Sequence, residues 1–131
     1  MPKSATYALL ALAAVAAAGA GCNDEDHDEA ADIARLATME ARIDALIGDA
    51  ACTGGDDCRT VAFGAKPCGG PWKYKIFAAA TLDTAELARL VKAYNDHNAV
   101  LNARWGWASD CAYVMEPAVG CVEGRCRAVV P

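Results

Sequence analysis

The reactive side chains of this 131-residue chain are few and unevenly placed: seven cysteines, two histidines, and Ser109 as the one serine beyond Ser4. A nucleophile with its base would need Ser109, His97 and an acid such as Asp110, yet no Gly-x-Ser-x-Gly elbow surrounds Ser109. Asp56 and Asp57 could work as paired carboxylates in hydrolysis, but glycines and a cysteine flank them, the setting of a charged turn. Zinc asks for closely spaced thiolates and imidazoles. Here Cys-x-x-Cys is missing and His97 is the only histidine between Cys52 and Cys126. Phosphate loops and dinucleotide fingerprints are absent as well. No catalytic residue, metal ligand or cofactor is therefore expected. A small periplasmic hydrolase using Asp56, Asp57 or Asp110 is the enzymatic alternative.

The cysteines carry a different chemistry. Cys52, Cys58, Cys68, Cys111, Cys121 and Cys126 form an even-numbered set within one short region. In an exported chain that pattern is a disulfide framework, which stabilises a core too small to be secure alone. Cys121 and Cys126 would face each other across a hairpin turning at Glu123-Gly124, within bridging reach. Cys52–Cys58 across the loop ACTGGDDC and Cys68–Cys111 complete the expected set, although spacing alone leaves other connectivities open.

Cys22 stands apart. Lys3, an apolar run from Ala5 to Ala20 and a small-residue stretch lead up to it. This is the layout of a secretory signal, and it is shorter than the roughly 20 residues of a spanning helix. Gly19-Ala20-Gly21-Cys22 resembles the lipobox of bacterial lipoprotein precursors, with Gly19 where that family prefers Leu. The resemblance implies cleavage before Cys22, a diacylglyceryl group on its thiol and often an acylated amino terminus. Asn23 follows in place of an inner-membrane retention Asp, which points to the outer rather than the inner membrane. The acidic run after it, NDEDHDE, would stay solvated as a tether. His27 within it is one more polar residue, since the run lacks the glycine and spacing of a calcium loop.

The formal net charge of −5 becomes more negative once Lys3 is removed, which makes nucleic acid an unsuitable partner. The expected organisation is a signal peptide over 1–21, a lipid-anchored tether over 22–30, an amphipathic helix over 31–49 and a six-cysteine domain over 50–131. Helical periodicity runs through 28–48, with Ile33, Leu36, Met39, Ile43, Leu46 and Ile47 on one stripe and Gly48 as a stop. Residues 81–101 predict a second helix with Asp83 as N-cap and Glu86 three residues on. Strands are expected at 59–64, 73–80 and 112–116, a loop at 102–111 and the hairpin over 118–130. The class is α+β: a helix packed on a short antiparallel sheet, stapled by disulfides and preceded by the amphipathic helix.

Trp72, Tyr74, Trp105 and Trp107 flank two glycine-bearing loops. A Cys68–Cys111 bridge would draw those loops together into an aromatic patch suited to a glycan or an envelope protein. The same rings could instead fill the core. The pieces CGGPW, SDC and CVEGRC resemble a recurrent type of six-cysteine exported bacterial domain, to which no activity is attached. The expected function is a lipid-anchored envelope protein that binds or scaffolds without catalysis. A protease inhibitor presenting Val114-Met115-Glu116-Pro117 in a disulfide frame is the alternative.

Overall fold

The computed structural model describes residues 28–130. The expected signal peptide, Cys22 and the first part of the expected acidic tether lie outside these residues. The order is α1 (Glu29–Ile47), a single 3-10 turn (Gly55–Asp57), β1 (Cys58–Phe63), β2 (Lys73–Ala78), α2 (Thr84–Trp105), β3 (Val119–Val122) and β4 (Arg125–Ala128). The domain is α+β, with two helices and two small antiparallel sheets stapled by disulfides.

α1 begins earlier than the expected 31 because Asp28 caps it, accepting from the Ala30 N–H at 2.9 Å. The end of the predicted tether is therefore the first turn of this helix. Glu29 and Asp32 sit in that turn, where the helix dipole favours negative charge. The predicted stripe buries Leu36 and Ile43 against α2, so α1 belongs to the same core as the cysteine region.

α2 starts where the cap pattern places it: Asp83 accepts from the N–H groups of Ala85 and Glu86. Glu86 does not close a reciprocal box; its carboxylate takes Arg89 at 2.7 Å. The helix also runs one turn past the predicted end, to Trp105, before Gly106 caps it with an N–H to the Asn102 carbonyl. The expected loop over 102–111 is thus helical in its first residues. Leu87, Val91, Tyr94 and Leu101 face inward, and Tyr94 stacks on Phe63 of β1 with centroids 4.1 Å apart. A fully buried aliphatic side chain of this kind contributes about 1.5–3 kcal/mol.

β1 and β2 pair from Cys58↔Ala78 to Phe63↔Lys73. β3 and β4 pair with Val122 opposite Arg125 and Cys121 opposite Cys126, the register expected for a two-residue turn. Glu123 and Gly124 both have positive φ, as a type I′ turn requires.

Two expected bridges are corrected. Cys52 bonds to Cys121 and Cys58 to Cys126, with Cα separations of 5.9 and 5.4 Å. Cys121 and Cys126 do face each other, but residues opposite one another on a hairpin also point to the same side of it. That side meets the chain just before β1. Residues 50–52 run beside β4, with Cys126 N–H to Ala50 carbonyl and Cys52 N–H to Gly124 carbonyl, each 2.9 Å. Cys121 thus meets Cys52 on that segment, and Cys126 meets Cys58 at the start of β1. Cys68–Cys111 forms as expected. The expected strand over 112–116 is also corrected: the segment is irregular and pairs with no strand among the described residues.

Candidate functional site

Two irregular segments, 64–72 and 106–118, meet on one side of the molecule, and several anchors fix them there. α2 supplies the first set. Asn95 and Asn98 accept from the N–H groups of Gly64 and Ala65 at 2.7 and 2.9 Å. Asn102 donates to the Ala65 carbonyl at 2.7 Å. These asparagines stand three and four residues apart, one above another on the helix, and hold the chain as it leaves β1. Gly64, with φ +80°, lies so close to Trp72 that a Cβ there would come within 2.6 Å of the indole. Only glycine satisfies both the backbone angle and the contact.

Lys66 supplies the second anchor. Its residue is 8% exposed, and its ammonium donates to Asp110 at 3.0 Å and to the Ala112 carbonyl at 2.7 Å. The ammonium also lies 5.3 Å from the Trp72 ring centre, a cation–π contact. The N–H of Ala112 and the ammonium of Lys66 hold the Asp110 carboxyl below its usual range. Beside this pair the Cys68–Cys111 bridge crosses between the two segments, and a groove of about 440 Å³ opens along it, lined in part by Pro71 and Tyr113. Cys111 itself takes a positive φ of 55°, uncommon for a residue with a side chain, and the chain beyond it is irregular as far as residue 118. At the far end Glu116 accepts from the Thr60 hydroxyl, and the Ala118 carbonyl accepts from the Val129 N–H at 2.9 Å.

Between these anchors the loop presents Tyr113, 86% exposed, and Met115, 77% exposed, while Val114 is half-buried. Among the described residues no other two exposed large apolar side chains stand within two positions of each other in the sequence.

The aromatic residues singled out in the sequence are divided. Trp105 and Trp107 are half-buried against the main core, and their indole N–H groups donate to Asp32 and Glu29 of α1 at 3.1 and 2.7 Å. Tyr74 is half-buried on β2, and Trp72 remains exposed beside Lys66. The two tryptophans near Cys111 are thus engaged with α1 rather than presented beside Trp72. Composition did not separate the engaged rings from the free one. The loop's exposed pair and the enclosed Lys66 carried no signal beyond their neighbouring cysteines.

Three of the groups weighed for hydrolysis have other partners. The Ser109 hydroxyl lies 3.4 Å from the Cys68 sulfur, Asp110 is held by Lys66, and Asp57 accepts from Thr53. His97 sits within α2 rather than at its end, and its Nε2 is buried with no hydrogen-bond partner. The sulfurs of Cys52, Cys58 and Cys126 lie within 4.8 Å of one another, but each is committed to a disulfide and offers no thiolate.

No protein-family model, no curated protein and no solved structure matches this chain. Three disulfides belong to an oxidising, extracytoplasmic setting. Among the described residues no helix is long and apolar enough to cross a membrane.

Proposed function

We propose that this chain is a lipid-anchored cell-envelope protein whose disulfide-stapled domain binds a partner without catalysing a reaction. Cys22 carries the diacylglyceryl anchor, in the outer membrane rather than the inner, and the acidic residues after it space the domain from the surface. The observation that carries the binding role is the 106–118 loop, fixed at both ends and presenting Tyr113 and Met115 to solvent. Exposed apolar side chains on a rigid frame lose little freedom on binding, so more of their burial appears as affinity. The separate engagement of Ser109, Asp57 and Asp110 supports a role other than hydrolysis.

Intact mass of the protein purified from detergent-solubilised membranes tests the anchor. Loss of residues 1–21, an added diacylglyceryl group and a gain of two hydrogens per disulfide on reduction are expected. An unmodified Cys22 refutes the anchor. Saturable binding of the purified protein to isolated envelopes, lost when Tyr113 and Met115 are both changed to Ser, tests the contact surface. Binding that persists in that variant moves the surface elsewhere.

A further inference from the structure

We infer that residues 112–117 are a substrate-like loop that fills and blocks the cleft of an endopeptidase cutting after large apolar or aromatic residues. The inference rests on the binding reading above and names the class of partner.

Endopeptidases take their substrates as extended chains and bond to the backbone along them. Residues 107–118 contain no helix, strand or turn. Among the described residues, no backbone N–H or carbonyl of 113–117 bonds to another backbone group. The segment therefore presents an unpaired edge. Tyr113 and Met115 are exposed, with Val114 half-buried between them. The geometry favours Tyr113 in the primary specificity pocket, because it is the more exposed and carries the ring. Met115 then contacts the same face two positions beyond the scissile Tyr113–Val114 bond.

An exposed segment without regular structure is ordinarily a good substrate. Two features make this one a poor substrate and a good inhibitor. The first is restraint. Cys111, Asp110 and the Ala112 carbonyl hold the side before the bond, while Glu116 and the Ala118 carbonyl hold the side after it. A loop held in its bound shape loses little entropy on entering the cleft.

The second is the disulfide connectivity. When the enzyme's nucleophile attacks the Tyr113 carbonyl, the C–N bond breaks. Val114 leaves as an amine carrying the proton, and Tyr113 remains as an acyl-enzyme. In an ordinary substrate that amine diffuses away. Here Cys52–Cys121 and Cys58–Cys126 each join a residue before the cut to one after it. The two halves remain one covalent body, and the amine stays at high effective concentration beside the ester. Its return attack restores the peptide bond and releases the enzyme nucleophile, so the clipped and intact forms interconvert on the enzyme.

The test uses the full protein purified from membranes, titrated against chymotrypsin and trypsin with small chromogenic substrates. Chymotrypsin has an apolar primary pocket and trypsin an acidic one. Saturable inhibition of chymotrypsin is expected, with little effect on trypsin. Tyr113→Lys should weaken inhibition of chymotrypsin by at least about tenfold and create inhibition of trypsin. Acid-quenched complex should show one cut, at Tyr113–Val114, with the fragments separating only after reduction.

Rapid turnover to many fragments, or no inhibition of either enzyme by wild type and Tyr113→Lys, overturns the inference. If inhibition is absent while envelope binding still depends on Tyr113 and Met115, the binding reading stands and the protease assignment alone falls. If envelope binding is also indifferent to those residues, both fall.

Discussion

The ammonium of Lys66, with 5% of its side chain exposed, lies 3.0 Å from the Asp110 carboxylate, whose side chain is 70% exposed. One end of the pair is enclosed and the other stands in water. The loop that carries Asp110 is thereby pinned to the buried end of β1's exit.

Removing the enclosed end should free the loop without dissolving the core. Lys66→Met is expected to raise amide hydrogen exchange over 110–116 while α2 keeps its protection. Unchanged exchange in the loop would mean that the disulfide alone holds it. The acid response has a defined sign. The Asp110 carboxyl is held below its usual value, first by the Ala112 N–H and then by Lys66. Its contribution is therefore present above the unfolded carboxyl value and is lost as pH falls through the lowered one. Loop exchange should rise only below about pH 4.

A second pH effect lies across the sheet. Burial alone would raise Glu40, but bonds from Lys73 and Lys75 and the charges of both outweigh it and hold the carboxyl low. Burial alone would lower Lys75, and its bonds to Asp44 and Glu40 hold the ammonium high. The Glu40 contribution is lost on acidification and the Lys75 contribution on strong alkalinisation. Stability from denaturant unfolding should form a plateau from about pH 5 to about pH 10. Glu40→Gln should flatten part of the acid fall and lower the plateau by about 1 kcal/mol. An acid limb identical to wild type would place the titration elsewhere.

The asparagine ladder makes a third prediction. Asn98 is 4% exposed and its carbonyl oxygen takes the Ala65 N–H. Asn98→Leu removes that acceptor and leaves the N–H enclosed, a loss of about 1–3 kcal/mol. Val100, on the same helix but 53% exposed, serves as control: Val100→Ala should shift the urea midpoint little. Equal shifts for the two variants would contradict the ladder.

The disulfides should differ in what they hold. Replacing either Cys58 with Cys126 or Cys68 with Cys111 by Ala releases the unfolded chain, about 2–4 kcal/mol in each case. Cys58 and Cys126 are also buried, at 3% and 7% exposure, so their loss adds a packing defect between the sheets. Thermal unfolding should therefore fall further for that pair. Non-reducing peptide mapping should recover Cys52 with Cys121 and Cys58 with Cys126. Peptides joining Cys121 to Cys126 would restore the local pairing and undo the sheet contact described above.

Local features were legible in the sequence and relationships between distant segments were not. The Asp83 cap, the Gly48 stop, the α1 stripe and the hairpin register each depend on residues a few positions apart. The bridges depend on residues 50–52 lying beside β4, a contact no local pattern encodes. The composition of 112–116 suits a strand, but pairing is a property of the neighbour, and none is there among the described residues. Lys66 and the three asparagines belong to polar types usually found in solvent. Their burial follows from backbone groups at 64, 65 and 112 that need partners, which shows only once the chain is folded.

The bridge pattern has a consequence for biogenesis. Every disulfide joins one of the first three cysteines in the region to one of the last three, across 69, 68 and 43 positions. On the proposed export route, a chain emerging amino end first exposes Cys52, Cys58 and Cys68 before any correct partner has arrived. An oxidant acting at once would join the wrong neighbours, Cys52 to Cys58 above all. Productive maturation then depends on delayed oxidation or on an isomerase that reshuffles early mispairs, so yield should track isomerase supply more than oxidant strength.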